Sequence, residues 1–322
     1  MVIDKSDMLS VLNDFPRQCR DALALPKGIM AKGEVTSVVI CGMGGSAIGG
    51  DLLRAYAGNM NLPIFVVRDY KVPEFVDEFT LVFVISYSGN TEETLSAFND
   101  ARRKGAQIIA ITSGGELGRE ADKVIKVPAG IQPRAALGYL FFPLLGVLYN
   151  SNLIDIKNDD LNEMLDLLKM QDGIKERAEF LAKRIQGKTP IIYSSELLKS
   201  AAYRWKTQIN ENAKYPAFNS VFSEMNHNEI CSFRSMGKDR FTAILFRDEQ
   251  DNPRIKKRMD VCKKIMERDV DVEEVIIKGN SLLARMFYTI YLGDFTSYYL
   301  AMRERVDPTP VDVIEWMKKQ LV

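Results

Sequence analysis

Residues 35–41 form a near-continuous apolar run that stops at Gly42-Met43-Gly44-Gly45-Ser46. The figure returns at 64–67, at 81–85 (ending in Ser86-Tyr87-Ser88-Gly89-Asn90-Thr91), at 108–112 (ending in Ser113-Gly114-Gly115) and, briefly, at 124–127. A strand that is apolar on both faces has to be covered on both faces, and stretches of helical pattern lie between these runs. The combination points to a parallel sheet with helices on either side. The apolar stretch 135–149 reads as a core helix closing this half. It is too short to span a bilayer, and it contains Pro143.

A polar, charged stretch follows at 151–188, with helical spacing at Leu161, Met164, Leu165 and Leu168. The alternation then restarts. Strands are expected at 190–193, 241–246 and 272–277, and helices at 197–210, 255–266, 281–303 and 310–321. The expected fold is therefore α/β, with two doubly wound parallel-sheet domains. One covers residues 1–150. The other covers 151–322, is preceded by a helical connector and ends in a C-terminal helix.

Charge narrows the function classes. Lys plus Arg number 43 and Asp plus Glu number 43. A dedicated nucleic-acid binder needs a basic excess or stripe, so none is expected. Cys19, Cys41, Cys231 and Cys262 are far apart and form no C-x-x-C, which indicates neither a zinc site nor a disulfide framework. The expected compartment is the reducing cytoplasm. The first residues carry acidic groups and no apolar core, so no secretion signal and no membrane association are expected.

Ligands of open α/β sheets bind beyond the carboxyl ends of the strands. Two loops there carry chemistry. In Gly42-Met43-Gly44-Gly45-Ser46-Ala47 the glycines allow a sharp turn and close approach of an anion, and the following helix N-terminus offers free N–H groups. Ser86-Tyr87-Ser88-Gly89-Asn90-Thr91 presents three aliphatic hydroxyls, Ser86, Ser88 and Thr91, in six residues, again before a helix. There is no P-loop lysine, which argues against a nucleoside triphosphate. The first loop alone also fits a dinucleotide turn, with Asp69 near the place of a ribose-binding acid. The second, hydroxyl-rich loop favours a single phosphate group.

These two loops resemble the phosphate loops of the sugar isomerase (SIS) domain. The whole chain resembles the bifunctional phosphoglucose/phosphomannose isomerases of archaea and some bacteria, a branch of the phosphoglucose isomerase superfamily. The string Ser86-Tyr87-Ser88-Gly89-Asn90-Thr91-Glu92-Glu93-Thr94 is its most specific element. The resemblance implies two SIS domains and a substrate phosphate held by Gly45, Ser46, Ser86, Ser88 and Thr91. It implies that Glu211 is the catalytic base, with Glu224 as the in-sequence rival. It further implies that Arg134 stabilises an enediolate. His227, the only histidine, would assist ring opening from the partner subunit of a homodimer.

Lys318 matches the family's C-terminal lysine, with Lys319 as its neighbour and competitor for that role. The family carries a threonine shortly before that lysine. This chain has Val311 there, with Thr309 as the nearest hydroxyl.

A lone histidine does not suit a metal site, which needs clustered ligands. The expected reaction is aldose–ketose isomerisation of glucose 6-phosphate and mannose 6-phosphate to fructose 6-phosphate, by proton transfer and without a cofactor. The alternatives are a non-enzymatic sugar-phosphate sensor on the same fold and an NAD-type oxidoreductase using the Gly42 loop.

Overall fold

A computed structural model describes residues 2–58 and 61–321. The chain divides into two compact units, Asp14–Leu165 and a second made of Met1–Asn13 with Asp166–Val322. The sequence reading put one boundary at 150/151. In the structure, hydrogen bonds from distant parts of the sequence attach the first helix, α1 (Met8–Asn13), to the C-terminal unit. Tyr291 donates its hydroxyl to the Leu12 carbonyl at 2.8 Å, and the Gln171 amide donates to the Asn13 carbonyl at 2.8 Å.

The unit Asp14–Leu165 opens with helix α2 (Phe15–Ala22). It then alternates β1 (Ser37–Gly42), α3 (Gly45–Tyr56), β2 (Ile64–Val67), β3 (Thr80–Ile85), α4 (Glu92–Arg103), β4 (Gln107–Thr112), α5 (Gly115–Glu120), β5 (Val124–Lys126) and α6 (Leu137–Asn150). The five strands are all parallel, in the order β2-β1-β3-β4-β5. Every residue of β1 and β3 is buried, as strands covered on both faces must be. On one face Val39, Val82 and Val84 pack with Ala97, Phe98 and Ala101 of α4. Each fully buried Val or Phe side chain of this kind stabilises by about 1.5–3 kcal/mol.

The apolar stretch 135–149 is a 3₁₀ turn, Pro133–Ala135, followed by α6 with Pro143 inside it. Strand order reverses at β1: β2 lies on one side of it and β3 on the other. The crevice at the carboxyl ends of β1 and β3 is thus the switch point where ligands of such sheets bind.

Helix α7 (Asn158–Lys169) carries the chain into the second unit. There follow α8 (Gln171–Ile185), β6 (Thr189–Ser194), α9 (Lys199–Asn212), β7 (Phe218–Val221), α10 (Phe222–Met225), β8 (Phe241–Arg247), α11 (Pro253–Met266), β9 (Asp271–Ile276), α12 (Leu282–Arg303) and α13 (Asp312–Gln320). The sheet is parallel in the order β7-β6-β8-β9. Helix α12 is its central column, packed against both α8 and α9. The stretch expected as a connector therefore contains α8, an integral layer of this unit. Strand β7 was not expected from the sequence. It is four residues long, reads Phe-Asn-Ser-Val, and pairs only with β6 at the sheet edge. Among the described residues, no helix is long and apolar enough to cross a membrane.

Candidate active site

The two Gly- and Ser-rich loops meet at the β1/β3 crevice. Helix α3 starts at Gly45, where the chain passes so close to the 133–134 backbone that an added Cβ would stand 2.9 Å from Arg134 Cα. One residue on, buried Ser46 accepts a hydrogen bond from the Tyr87 amide at 3.3 Å, tying the loop after β1 to the loop after β3. In that second loop Ser86 Oγ organises the turn. It lies 2.9 Å from Thr91 Oγ1 and accepts from the Gly89 amide at 3.1 Å and the Thr91 amide at 3.4 Å.

Ser88 is exposed and accepts from the Asn90 amide at 3.3 Å. Gly89 has φ +73°, and a Cβ on it would overlap the Gly114 carbonyl, so only glycine fits. Thr91 is the N-cap of α4, with Glu92 and Glu93 in the first turn. Two helix N-termini and a cluster of small hydroxyls thus share one crevice. That is the donor set of an anion site.

Arg134 is 3% exposed. Its guanidinium Nη1 stands 3.5 Å from the Gln132 side-chain oxygen. Sequence reasoning missed two residues that hold this segment. Tyr87 donates its hydroxyl to the Pro128 carbonyl at 2.8 Å and accepts from the Ile131 amide at 3.2 Å. Burial pushes its phenol up, which the Ile131 amide partly offsets. Gln18, buried on α2, donates to the Ala135 carbonyl at 3.0 Å and accepts from the Gly138 amide at 2.7 Å. The only sequence signal for Gln18 was a polar residue on an otherwise buried helix face. Tyr87 lay in plain view inside the hydroxyl-rich string.

The remaining candidates belong to the C-terminal unit. Glu211 is half-buried in the last turn of α9. That helix is fixed to α12 along its length. Buried Arg204 makes a two-pronged pair with Asp294 at 3.1 and 2.8 Å, and the Gln208 amide adds a bond to the same carboxylate at 3.0 Å. Trp205 Nε1 donates to the Thr289 carbonyl at 2.7 Å, and Asn212, beside Glu211, donates to Ser297 Oγ at 2.9 Å.

His227 is exposed, in the turn after α10. Glu224, the rival carboxylate, accepts from the Asn228 side chain at 2.6 Å, and its carbonyl accepts the His227 amide at 2.9 Å. Lys318 and Lys319 are both exposed on α13, and Lys318 lies 3.1 Å from Glu315. Val311 is the residue before α13, and the Thr309 amide donates to Asp307 at 3.0 Å.

The second sheet has its own switch point, between β6 and β8, and its chemistry is opposite. Buried Asp248 and Asp251 follow β8, and Asp248 pairs with buried Arg285 at 2.9 Å. Burial pushes the Asp251 carboxyl up and outweighs the lowering by Ser195, while neighbouring Asp248 adds to the rise and Arg285 opposes it. Carboxylates repel a phosphate, and the guanidiniums of Arg285 and Arg247 here are already paired with carboxylates. Among the described residues, the cluster of small hydroxyls at two helix N-termini lies at the first sheet's switch point.

Both halves of the chain match known families. Residues 33–143 match the SIS domain, and residues 174–321 match the bacterial phospho-glucose isomerase C-terminal SIS domain. A bifunctional phosphoglucose/phosphomannose isomerase of Caldicellulosiruptor bescii is 43% identical, with 98% of each chain covered. Its counterpart from Thermoplasma acidophilum is 42% identical, over 91% of this chain and 92% of that one. Among solved structures, the C-terminal domain of glucosamine-fructose-6-phosphate aminotransferase from Francisella tularensis superposes with a TM-score of 0.71. It is 17% identical and covered over 98% of its length, with 95% of this chain covered, a likeness of fold. The chain belongs to the bifunctional phosphoglucose/phosphomannose isomerase family.

Proposed function

We propose that this protein interconverts glucose 6-phosphate and mannose 6-phosphate with fructose 6-phosphate through a cis-enediol. The reading rests above all on the hydroxyl and amide nest of Ser46, Ser86, Ser88 and Thr91, set at two helix N-termini against the Arg134 backbone.

The phosphate anchors the sugar there, with Gly45 giving backbone access. His227 and Lys318 assist ring opening. Glu211 then takes the proton from C2 and returns it to C1. As it leaves, negative charge grows on the substrate oxygens, and the Arg134 guanidinium offsets it. Hydrogen moves as a proton, so the scheme calls for no hydride acceptor and no cofactor. Glucose and mannose 6-phosphates differ only at C2, and removing the C2 proton gives both the same enediol. One base therefore serves both, and they should be turned over with comparable efficiency.

The working form in this reading is a cytoplasmic homodimer in which His227 comes from the partner subunit. Mixing and re-assembling His227→Ala with Glu211→Gln should then restore activity, because a hybrid dimer has one site with both residues intact. A hybrid shown to form and still inactive would remove the shared site.

The test of the activity itself is a coupled assay for fructose 6-phosphate from each aldose, with EDTA present. Product from both is expected. Binding of the sugars without turnover would favour a sensor instead.

A further inference from the structure

We infer that Tyr193 is a positioning residue for His227, acting through the Glu229 carboxylate. The inference rests on the role proposed above for His227.

Tyr193 stands on β6 and is fully buried, its ring packed with Phe222 and Phe233 at centroid distances of 5.9 and 6.2 Å. A buried phenol hydroxyl needs a partner. Tyr193 donates to Glu229 Oε1 at 2.5 Å, two residues beyond the histidine. Burial and the Glu229 carboxylate hold the phenol far above its ordinary range, so it remains a donor throughout the working pH range.

The other residues beside His227 are tied as well. Asn226 reaches α11, with its amide 2.9 Å from Cys262 Sγ and its oxygen 3.3 Å from Arg258 Nη1. Asn228 donates to Glu224 at 2.6 Å and accepts the Glu229 amide at 2.6 Å. Helix α10 has four residues, and the segment after the histidine is a 3₁₀ helix, Glu229–Ser235, so neither is stiff on its own account. The turn that displays the exposed imidazole thus takes its order from side-chain anchors, and Tyr193 is the one rooted in the sheet. A group that assists ring opening must be held to a fraction of an ångström, and loss of that placement is paid in turnover.

Packing alone would be satisfied by phenylalanine, so Tyr193→Phe isolates the hydroxyl. Turnover of hexose 6-phosphates should fall about 5- to 30-fold, with KM and inhibition by inorganic phosphate within about twofold. Glu229→Gln keeps an acceptor oxygen for the phenol and should stay within about threefold of the parent. Tyr193→Phe combined with Glu229→Leu should cost no more than the worse single change.

The chain has one histidine, so its imidazole resonance is unambiguous by NMR, and it should shift in Tyr193→Phe. Should Tyr193→Phe not fold, Glu229→Leu carries the same comparison. Lower stability with unchanged turnover and an unmoved resonance would overturn the inference. His227→Ala is measured alongside. If it is impaired while Tyr193→Phe is silent, the inference alone falls. If His227→Ala itself turns over like the parent, the role of His227 falls and takes the inference with it.

Discussion

Gly45 and Arg134 are in backbone contact: a Cβ built on the glycine lies 2.9 Å from Arg134 Cα and 3.0 Å from its amide nitrogen. The contact joins the start of the phosphate loop's helix to the segment bearing the guanidinium proposed for the enediolate. In the proposed site, substrate phosphate and developing oxyanion are thereby referred to one rigid junction. Gly45→Ala must push the two apart, since the obstacle is backbone and cannot rotate away. A displacement of about 1 Å at such a place costs on the order of 10²-fold in kcat/KM. Steady-state kinetics should show KM rising and kcat falling together. Kinetics like the parent's would dissociate the loop from the arginine.

The two loop serines should separate cleanly. Ser86 Oγ holds its own turn through the Gly89 and Thr91 amides and the Thr91 hydroxyl, whereas Ser88 is exposed and carries one bond, from the Asn90 amide. Ser86→Ala should cost stability of about 1 kcal/mol, because it removes the acceptor of the part-buried Thr91 amide and one of the two acceptors of the Gly89 amide, which keeps the Ser86 carbonyl at 3.0 Å. Ser88→Ala should leave the melting temperature in place and raise KM for sugar phosphates and Ki for inorganic phosphate. Thermal melts beside inhibition constants make the comparison. Equal effects of both substitutions on stability would contradict it.

Asp251 offers a test of the second crevice. Its Oδ2 is buried without a hydrogen-bond partner, and burial raises its folded-state pKa above the unfolded value of about 3.9. The folded state therefore holds the proton longer than the unfolded chain. Stability falls as pH climbs through the window between the two values, and the penalty is complete above the folded value. Asp251→Asn removes that penalty where it is complete and changes little below the unfolded value. The gain in melting temperature should be larger at pH 7 than at pH 4. An equal or reversed gain would mean that Ser195, Arg285 and Lys256 stabilise the carboxylate more than burial penalises it.

Much of this architecture was legible before any coordinates. The apolar runs at 81–85 and 108–112 became β3 and β4 within one residue at their starts, because a strand covered on both faces is apolar along most of its length. Strand β7 escaped for the converse reason. It is an edge strand of four residues, two of them polar, and nothing local marks it. The hydroxyl-rich loop was readable because its chemistry is contained in six consecutive residues.

What holds the candidate residues was not readable. Asp294 fixes the helix of Glu211 from 83 positions away, and Gln18 braces the Arg134 segment from more than a hundred. Such partners are set by tertiary packing, and neither periodicity nor composition records it. The same holds for the Gly45–Arg134 junction, where a glycine read as allowing a sharp turn and an anion's approach is required by the backbone passing beside it.

The central claim is that a carboxylate on α9 moves the C2 proton, and Glu211→Gln tests it most directly. The amide keeps the shape and cannot accept the proton. Turnover of glucose 6-phosphate to fructose 6-phosphate should drop by about 10²–10⁴-fold or more, while inorganic phosphate binds as tightly as to the parent. Turnover within a few-fold of the parent would contradict the account and move the search for the base to Glu224.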